Sequence, residues 1–179
     1  MKVRDVGTIL KTSPLGDHGL IVTWCTALHG VLRTAARNAR KPGSDFTGHI
    51  DSFYEAELVF SLPARGDLST LHSAVLLSAR LPLRSNLSRL CLAGYLSRLL
   101  LATVEPGDAN PEWHLLISGA LDYIAASSPR LAILEHFEKR LASLHGIYSP
   151  VIPPHQTLLR HFQSLPSDRL RFLDYSSLA

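Results

Sequence analysis

Cysteine is scarce in this chain, and its scarcity excludes two classes of protein. Only Cys25 and Cys91 occur among 179 residues, and both stand among apolar neighbours. Two such cysteines supply neither the disulfide framework of a small secreted domain nor the paired ligands of a zinc ribbon. We therefore expect buried thiols in a reducing compartment, with no metal and no cofactor.

We also expect neither a secretory signal nor a membrane-spanning run. Residues 1–5 lead into no apolar segment of the kind that a signal peptide needs. The most apolar run, Leu87 to Val104, is interrupted by Arg89 and Arg98. It predicts a core helix and not a membrane span, which agrees with a cytoplasmic protein.

Linear catalytic motifs are absent as well. There is no Gly-x-Ser-x-Gly elbow, no phosphate-binding glycine loop and no His-Glu-x-x-His pair. The nine histidines are scattered, and no two lie one helical turn apart. The sequence favours a protein that is not an enzyme, and convergent polar groups in a pocket would instead indicate an unrecognised hydrolase.

The residues that are present describe a globular and mildly basic chain. Apolar residues make up 46% and charged residues 18%, with a net charge of +3 and a pI near 9.1. This length fits one ordinary domain or two small ones. The charge permits either nucleic acid or an acidic protein segment as a partner.

The first ~80 residues show the alternation and turn residues of short strands. The predicted strands are 7–14, 20–26, 31–38, 52–62 and 68–77. Five short strands with hairpin spacing predict an antiparallel five-stranded OB-fold barrel over 1–80. The class is α+β, because the rest of the chain, 81–179, has helical periodicity and predicts a helical domain.

Helix signals in that second part are mainly caps and prolines. Ser85 or Asn86 caps a first helix, Asn110-Pro111-Glu112 starts a second, and Ser128-Pro129 starts a third. Gly146 is placed to end the third helix. Short helices are predicted at 155–163 and from Ser167 onward.

A basic stretch from Arg33 to Lys41 is the strongest functional signal in the residues. It carries Arg33, Arg37, Arg40 and Lys41 with no acid between them, at a strand end followed by Pro42-Gly43-Ser44. Such a surface suits a polyanionic backbone, although a solvated strand end explains the same charges. The further candidates for contact with DNA are Lys11, Arg65, Phe46, Phe53 and Tyr54. Each of the three aromatics is more often a core residue than a stacking platform, and strand alternation puts Phe53 and Tyr54 on opposite faces, so at most one of these two stacks on a base.

A series of short segments occurs in a recognisable order along the chain. It includes 7–17, the strand 21–30 ending in His29-Gly30, the basic loop 36–42, and Phe46. It continues with Ser52-Phe53, Glu57-Leu58, 68–71 and 83–87. In their order and spacing these segments resemble the bacterial RecO family of recombination mediators, and the resemblance spans roughly residues 5 to 150.

The resemblance implies a non-enzymatic DNA-repair protein. It implies binding of single- and double-stranded DNA, annealing of complementary strands and help in loading recombinase, together with RecR. It also implies that the helical part takes the acidic, apolar C-terminal tail of single-strand-binding protein. An apolar pocket with a cationic rim would suit that tail, and the candidate rim residues are Arg89, Arg98, Lys139 and Arg140.

Two departures from the family pattern support an alternative. Many members carry a four-cysteine zinc module after the segment that matches 144–148, whereas this chain continues into 149–154 without cysteine. Asp45 stands where the family loop tends to be basic. The alternative is a protein-interaction adaptor whose barrel has largely lost DNA binding.

Overall fold

The N-terminal part of the chain is a closed barrel of five strands. The computed structural model describes residues 1–175. The strands are β1 (Lys2–Leu15), β2 (Gly19–Thr26), β3 (Gly30–Ala36), β4 (Glu55–Ser61) and β5 (Leu68–Ser78). Their order around the barrel is β1-β2-β3-β5-β4, so the predicted α+β class with an N-terminal five-stranded barrel is confirmed.

The barrel interior follows directly from the alternation of the sequence. In β4, Ala56, Leu58 and Phe60 are fully buried, and the residues between them are only partly buried. Trp24 is also fully buried, and its indole N–H donates to Thr34 Oγ1 at 2.9 Å. The one polar group of the indole is therefore paired, so burying this side chain leaves its N–H with a hydrogen-bond partner.

One strand pair corrects the prediction of a wholly antiparallel barrel. β3 and β5 pair in parallel, Arg33–Ala35 with Leu68–Thr70, whereas the other four pairs are antiparallel. The reason is geometric, because an odd number of strands cannot alternate in direction around a closed ring. One parallel pair is required, and here it closes the barrel.

The second part of the chain is mainly helical, as predicted. After a short 3₁₀ helix, Leu81–Arg84, come α1 (Leu87–Thr103), α2 (Glu112–Ala126), α3 (Leu131–Leu144), α4 (Pro154–His161) and α5 (Arg171–Asp174). Asn86 caps α1, since its side chain accepts from the Arg89 N–H at 3.2 Å. Gly146 has φ +70° just beyond α3, as its predicted stop position requires. Residues 176–179 of the predicted helical domain lie outside the described residues.

The chain divides into two compact units, and the barrel unit is discontinuous in sequence. It contains Met1–Ala79 and also Glu105–Leu115, while the helical unit contains the remaining described residues. The later segment is held against the β2–β3 hairpin, where the Gly107 N–H donates to the Val31 carbonyl at 2.9 Å. A segment that follows α1 in sequence is thus part of the barrel unit.

The helical unit has an apolar core and a fully buried carboxylate. Glu138 on α3 accepts two bonds of 2.7 Å from Arg169 and one of 3.4 Å from the Tyr95 hydroxyl. A buried charge needs such partners to offset its lost hydration. Within residues 1–175, no helix is long and apolar enough to cross a membrane.

Candidate nucleic-acid interface

Two of the predicted DNA-binding cations lie in one row across the outside of the barrel. Lys11 on β1 is opposite Thr23 on β2, and Thr23 is opposite Arg33 on β3. Directly paired residues of antiparallel strands lie on the same face, with their Cβ atoms about 5 Å apart. Lys11 and Arg33 are therefore about 10 Å apart on one exposed surface.

Arg33 forms a salt bridge with an acidic residue that is distant in the sequence. Its Nη1 donates to Asp67 Oδ2 at 3.1 Å, and both side chains are well exposed, 45% and 68% respectively. The pair forms because the ladder of β3 and β5 sets Arg33 opposite Leu68, the residue after Asp67. Sequence inspection of the basic stretch misses this acid, which lies 34 positions further along the chain.

The loop that follows β3 is tied to the barrel at several points. The Arg40 N–H donates to the His18 carbonyl in the β1–β2 turn at 2.9 Å. His49 Nδ1 accepts from the Leu76 N–H of β5 at 3.2 Å, and Phe46 packs against the barrel core. Anchoring of this kind restrains the loop, and a restrained loop loses less conformational entropy when it binds a partner.

The loop cations themselves point into solvent. Arg37, Arg40 and Lys41 are exposed, as is Lys11. Among the residues that the structure describes, no carboxylate forms a salt bridge with these four side chains. Arg65 is exposed in the β4–β5 loop, two residues from Asp67. The predicted cations are thus divided between two loops and two strands of the barrel unit.

The predicted base-stacking aromatics are largely used in packing. Phe53 is 7% exposed with φ +70°, and it pairs through its N–H with the Ile9 carbonyl at 2.8 Å. Phe46 and Tyr54 are half-buried and pack against the barrel core. Of these three aromatics, only the exposed parts of Phe46 and Tyr54 are accessible to a base.

The Thr-Ala-Leu-His-Gly segment at the β2–β3 turn serves to build a hairpin. Thr26 Oγ1 accepts from the His29 N–H at 3.1 Å and donates to the Gly30 carbonyl at 3.0 Å. Gly30 has φ +65°, and a Cβ there would lie 1.9 Å from the Asp108 carbonyl oxygen. Only glycine fits this position, since both the backbone angle and the contact exclude a side chain.

The four predicted rim residues of the helical unit do not surround one site. Arg89 and Arg98 are nine residues apart on α1, which puts them on opposite sides of the helix, about 14 Å apart along its axis. Arg89 donates to the Ser127 carbonyl at 3.1 Å, and Arg98 pairs with Asp168. Lys139 lies 5.3 Å from the ring centroid of Tyr148, and Arg140 is its exposed neighbour on α3.

The thiols and histidines show no arrangement of metal ligands. In residues 1–175, no group of three or more His, Cys, Asp or Glu side chains lies close enough together to hold a metal ion. Cys25 and Cys91 are both free thiols. Burial raises the pKa of Cys25 to about 12, with a smaller contribution from Asp5.

Comparison with known proteins decides the family. Residues 1–80 match the family described as Recombination protein O N terminal, and residues 84–151 match Recombination protein O C terminal. The DNA repair protein RecO of Syntrophus aciditrophicus is 33% identical over 150 residues, which are 83% of this chain. The chain belongs to the RecO family. The RecO protein of Chromobacterium violaceum is 30% identical over 154 residues, again 83% of this chain.

These relatives are longer than this RecO-family chain. The matches cover 57% of the Syntrophus protein and 59% of the Chromobacterium protein. The two matched families meet between residues 80 and 84, at the 3₁₀ helix that follows β5. Both the barrel with its basic loop and the first three helices therefore lie within the part that is shared with the family.

Proposed function

We propose that this chain is a DNA-binding recombination mediator in DNA repair, which binds and anneals DNA and helps to load recombinase. The proposed partners are single- and double-stranded DNA, RecR and the C-terminal tail of single-strand-binding protein. The proposed activity is binding and not catalysis. Membership of the RecO family supports the general role, and the geometry of the barrel supports the DNA contact.

One observation carries the proposal: an anchored loop presents three cations that form no salt bridge with any of residues 1–175, and a cationic row on the barrel accompanies them. Arg37, Arg40 and Lys41 follow β3 directly, and Lys11 and Arg33 stand on the adjacent face. Cations of this kind contact phosphates and position a strand, whereas sequence is read at base edges. The proposed binding is therefore independent of DNA sequence.

A fluorescence anisotropy titration with an unstructured single-stranded oligonucleotide tests this proposal. We expect log K to fall linearly with log salt, with a slope of about −0.7 for each phosphate neutralised. Four engaged cations would give a slope of roughly −3. Oligonucleotides of unrelated sequence should bind with similar affinity, and absence of binding at low salt would contradict the proposal.

The adaptor function is the second candidate, and the acids of this surface favour it. Asp67 forms a salt bridge with Arg33, and Asp45 is exposed within the basic loop. These charges reduce the positive potential that phosphates would meet. A chain that fails to bind DNA but still binds a protein partner would support this candidate.

Binding of the single-strand-binding protein tail is a separate proposal for the helical unit. Because Arg89 and Arg98 lie on opposite sides of α1, a single site uses at most one of them. Isothermal calorimetry with a synthetic tail peptide tests the interaction, and Arg89→Ala and Arg98→Ala serve as each other's control. Loss of binding in both variants would contradict a single rim.

A further inference from the structure

The Arg33–Asp67 pair is the one salt bridge within the proposed DNA-binding surface. Of the six cations proposed there, Arg33, Arg37, Arg40, Lys41, Lys11 and Arg65, only Arg33 has a carboxylate partner among residues 1–175. We propose that the salt bridge between Asp67 and Arg33 limits the affinity of this surface for nucleic acid. When DNA binds, a phosphate replaces the Asp67 carboxylate as the partner of Arg33. This inference rests on the proposed function.

The position of Asp67 is set by the closure of the barrel. The parallel ladder begins where Arg33 meets Leu68, and Asp67, the residue before Leu68, lies close enough for its Oδ2 to accept from Arg33 Nη1 at 3.1 Å. Asp67 is also the last residue of an exposed loop, and Gly66 before it has φ +80° with open space around it. Arg33 therefore belongs to a strand, whereas its partner Asp67 is the last residue of a loop.

Because the Arg33–Asp67 pair is exposed, a DNA phosphate can replace the Asp67 carboxylate at little cost. Both side chains are exposed, so water screens their attraction, and exposed pairs of this kind contribute little to stability. A DNA phosphate offers the same guanidinium an acceptor of the same charge and bidentate geometry, and its binding also releases counterions from the strand. The weak pair therefore reduces affinity without blocking the site.

The substitution Asp67→Asn removes the charge and keeps the shape of the side chain. At about 50 mM salt, where surface pairs are little screened, we expect single-stranded DNA to bind about two- to fivefold more tightly. The gain should shrink as salt rises. Glu105→Gln is the matched control, because Glu105 is an exposed acid of the same unit, close to the hairpin at the other end of β3, and its substitution should leave affinity nearly unchanged.

A double-mutant cycle separates competition for Arg33 from simple repulsion of DNA. Asp67 repels phosphates whether or not Arg33 is present, so that part of the gain also appears in an Arg33→Ala background. The part that arises from release of Arg33 disappears in that background. We therefore expect Asp67→Asn to increase affinity clearly more in the wild-type chain than in Arg33→Ala.

The outcomes distinguish this inference from the proposed function. An equal gain in both backgrounds, or no gain in the wild-type chain, would overturn the inference and leave the DNA-binding proposal intact. Failure of the wild-type chain to bind DNA would overturn both. Melting temperatures of all variants are measured alongside, and a substitution of this exposed side chain should leave them within a few degrees of the wild-type value.

Discussion

The carboxylate of Asp5 lies 2.7 Å from the Nδ1 of His29, and this contact joins β1 to the tip of the β2–β3 hairpin. Asp5 is 4% exposed, and its oxygens also accept from the N–H groups of Val6 and Leu28 at 2.8 and 3.2 Å. The His29 ring packs edge-on against Phe60, with centroids 5.4 Å apart. The histidine of the hairpin is therefore a structural residue that is held between a buried acid and the barrel interior.

Replacing Asp5 should destabilise the barrel unit without changing the basic loop. Asp5→Ala leaves three donors without their acceptor, and buried donors that lose their partners cost about 1–3 kcal/mol. Urea unfolding followed by tryptophan fluorescence measures this change, since Trp24 is in the barrel core. Asp17→Ala in the exposed β1–β2 turn is the control, and a loss no larger than in this control would contradict the role of Asp5.

A comparison of alanine substitutions at Gly30 and Gly16 separates two costs in the free energy of unfolding, that of the backbone angle and that of a steric contact. Both have positive φ, but a Cβ at Gly30 meets the Asp108 carbonyl oxygen at 1.9 Å, while a Cβ at Gly16 has no atom within 4 Å. Gly16→Ala should cost about 1–2 kcal/mol, the price of the left-handed backbone alone. Gly30→Ala should cost clearly more, because the segment around Asp108 must also move. Equal costs in urea unfolding would show that the contact with Asp108 is unimportant.

The double variant Arg37→Ala/Arg40→Ala tests the basic loop. Losing two phosphate contacts should flatten the log–log salt slope by roughly 1.4 and weaken binding to all sequences alike. Thermal stability should be retained, because both side chains are exposed and their removal opens no cavity.

The control for the loop variant removes the same charge from the helical unit. Arg130 and Arg160 are both exposed there, and Arg130→Ala/Arg160→Ala should leave the salt slope unchanged. If the loop variant keeps wild-type affinity and slope, the loop is not the DNA contact and the adaptor function becomes the better proposal.

The two thiols should react with thiol reagents at very different rates. Because burial raises the pKa of Cys25 to about 12, only roughly one molecule in ten thousand carries its thiolate at pH 8. Cys91 is half-buried and accessible in part. In native buffer, labelling followed by mass spectrometry should find modification at Cys91 first. The Cys91→Ala variant should stay unlabelled until urea is added, and rapid labelling of native Cys91→Ala would contradict this.

His155 should make the helical unit less stable in mild acid. Burial lowers the pKa of His155, and this effect outweighs the attraction of Glu138, whose Oε1 lies 3.3 Å from its Nδ1. The unfolded chain therefore takes up this proton at a higher pH than the folded chain does. Its contribution to stability is complete above a pH of about 6.5 and is lost progressively as the pH falls below that value.

Unfolding measured between pH 7.5 and 5 checks this dependence. His155→Gln should show a flatter pH profile than the wild-type chain, because it removes the group that titrates. His136→Gln is the control, since His136 is an exposed histidine on α3 of the same unit. Identical profiles for the wild-type chain and His155→Gln would contradict the assignment.

Local rules predicted most of the elements, because local chemistry determines them. Alternating residues of β4 and the Asn86 cap appear in the structure as the sequence indicates. The side of α1 that faces the core does not follow from the sequence, and Leu87 and Leu90 are 50% and 37% exposed. This helix is apolar on nearly every side, so periodicity alone does not indicate which side faces the core.

Features that depend on distant parts of the chain could not be predicted in this way. The contact of Arg33 with Asp67 requires the register of the parallel pair β3–β5. Segment 105–109 packs against the hairpin through a close approach between the backbones of Gly30 and Asp108. In the sequence, the glycine at position 30 is the only sign of this contact. The six candidate cations of the DNA-binding surface remain a prediction, to which the structure adds their positions and one acidic neighbour.

The discontinuous barrel unit has a consequence for how the chain is made and how it can be divided. During synthesis the hairpin tip emerges long before the segment 105–109 that covers it, and all of α1 lies between them. The barrel therefore reaches its final form only after residues of the helical part have left the ribosome. A truncated chain that ends at residue 80 would leave the Gly30 region uncovered, whereas one that ends after Leu115 would retain the complete unit.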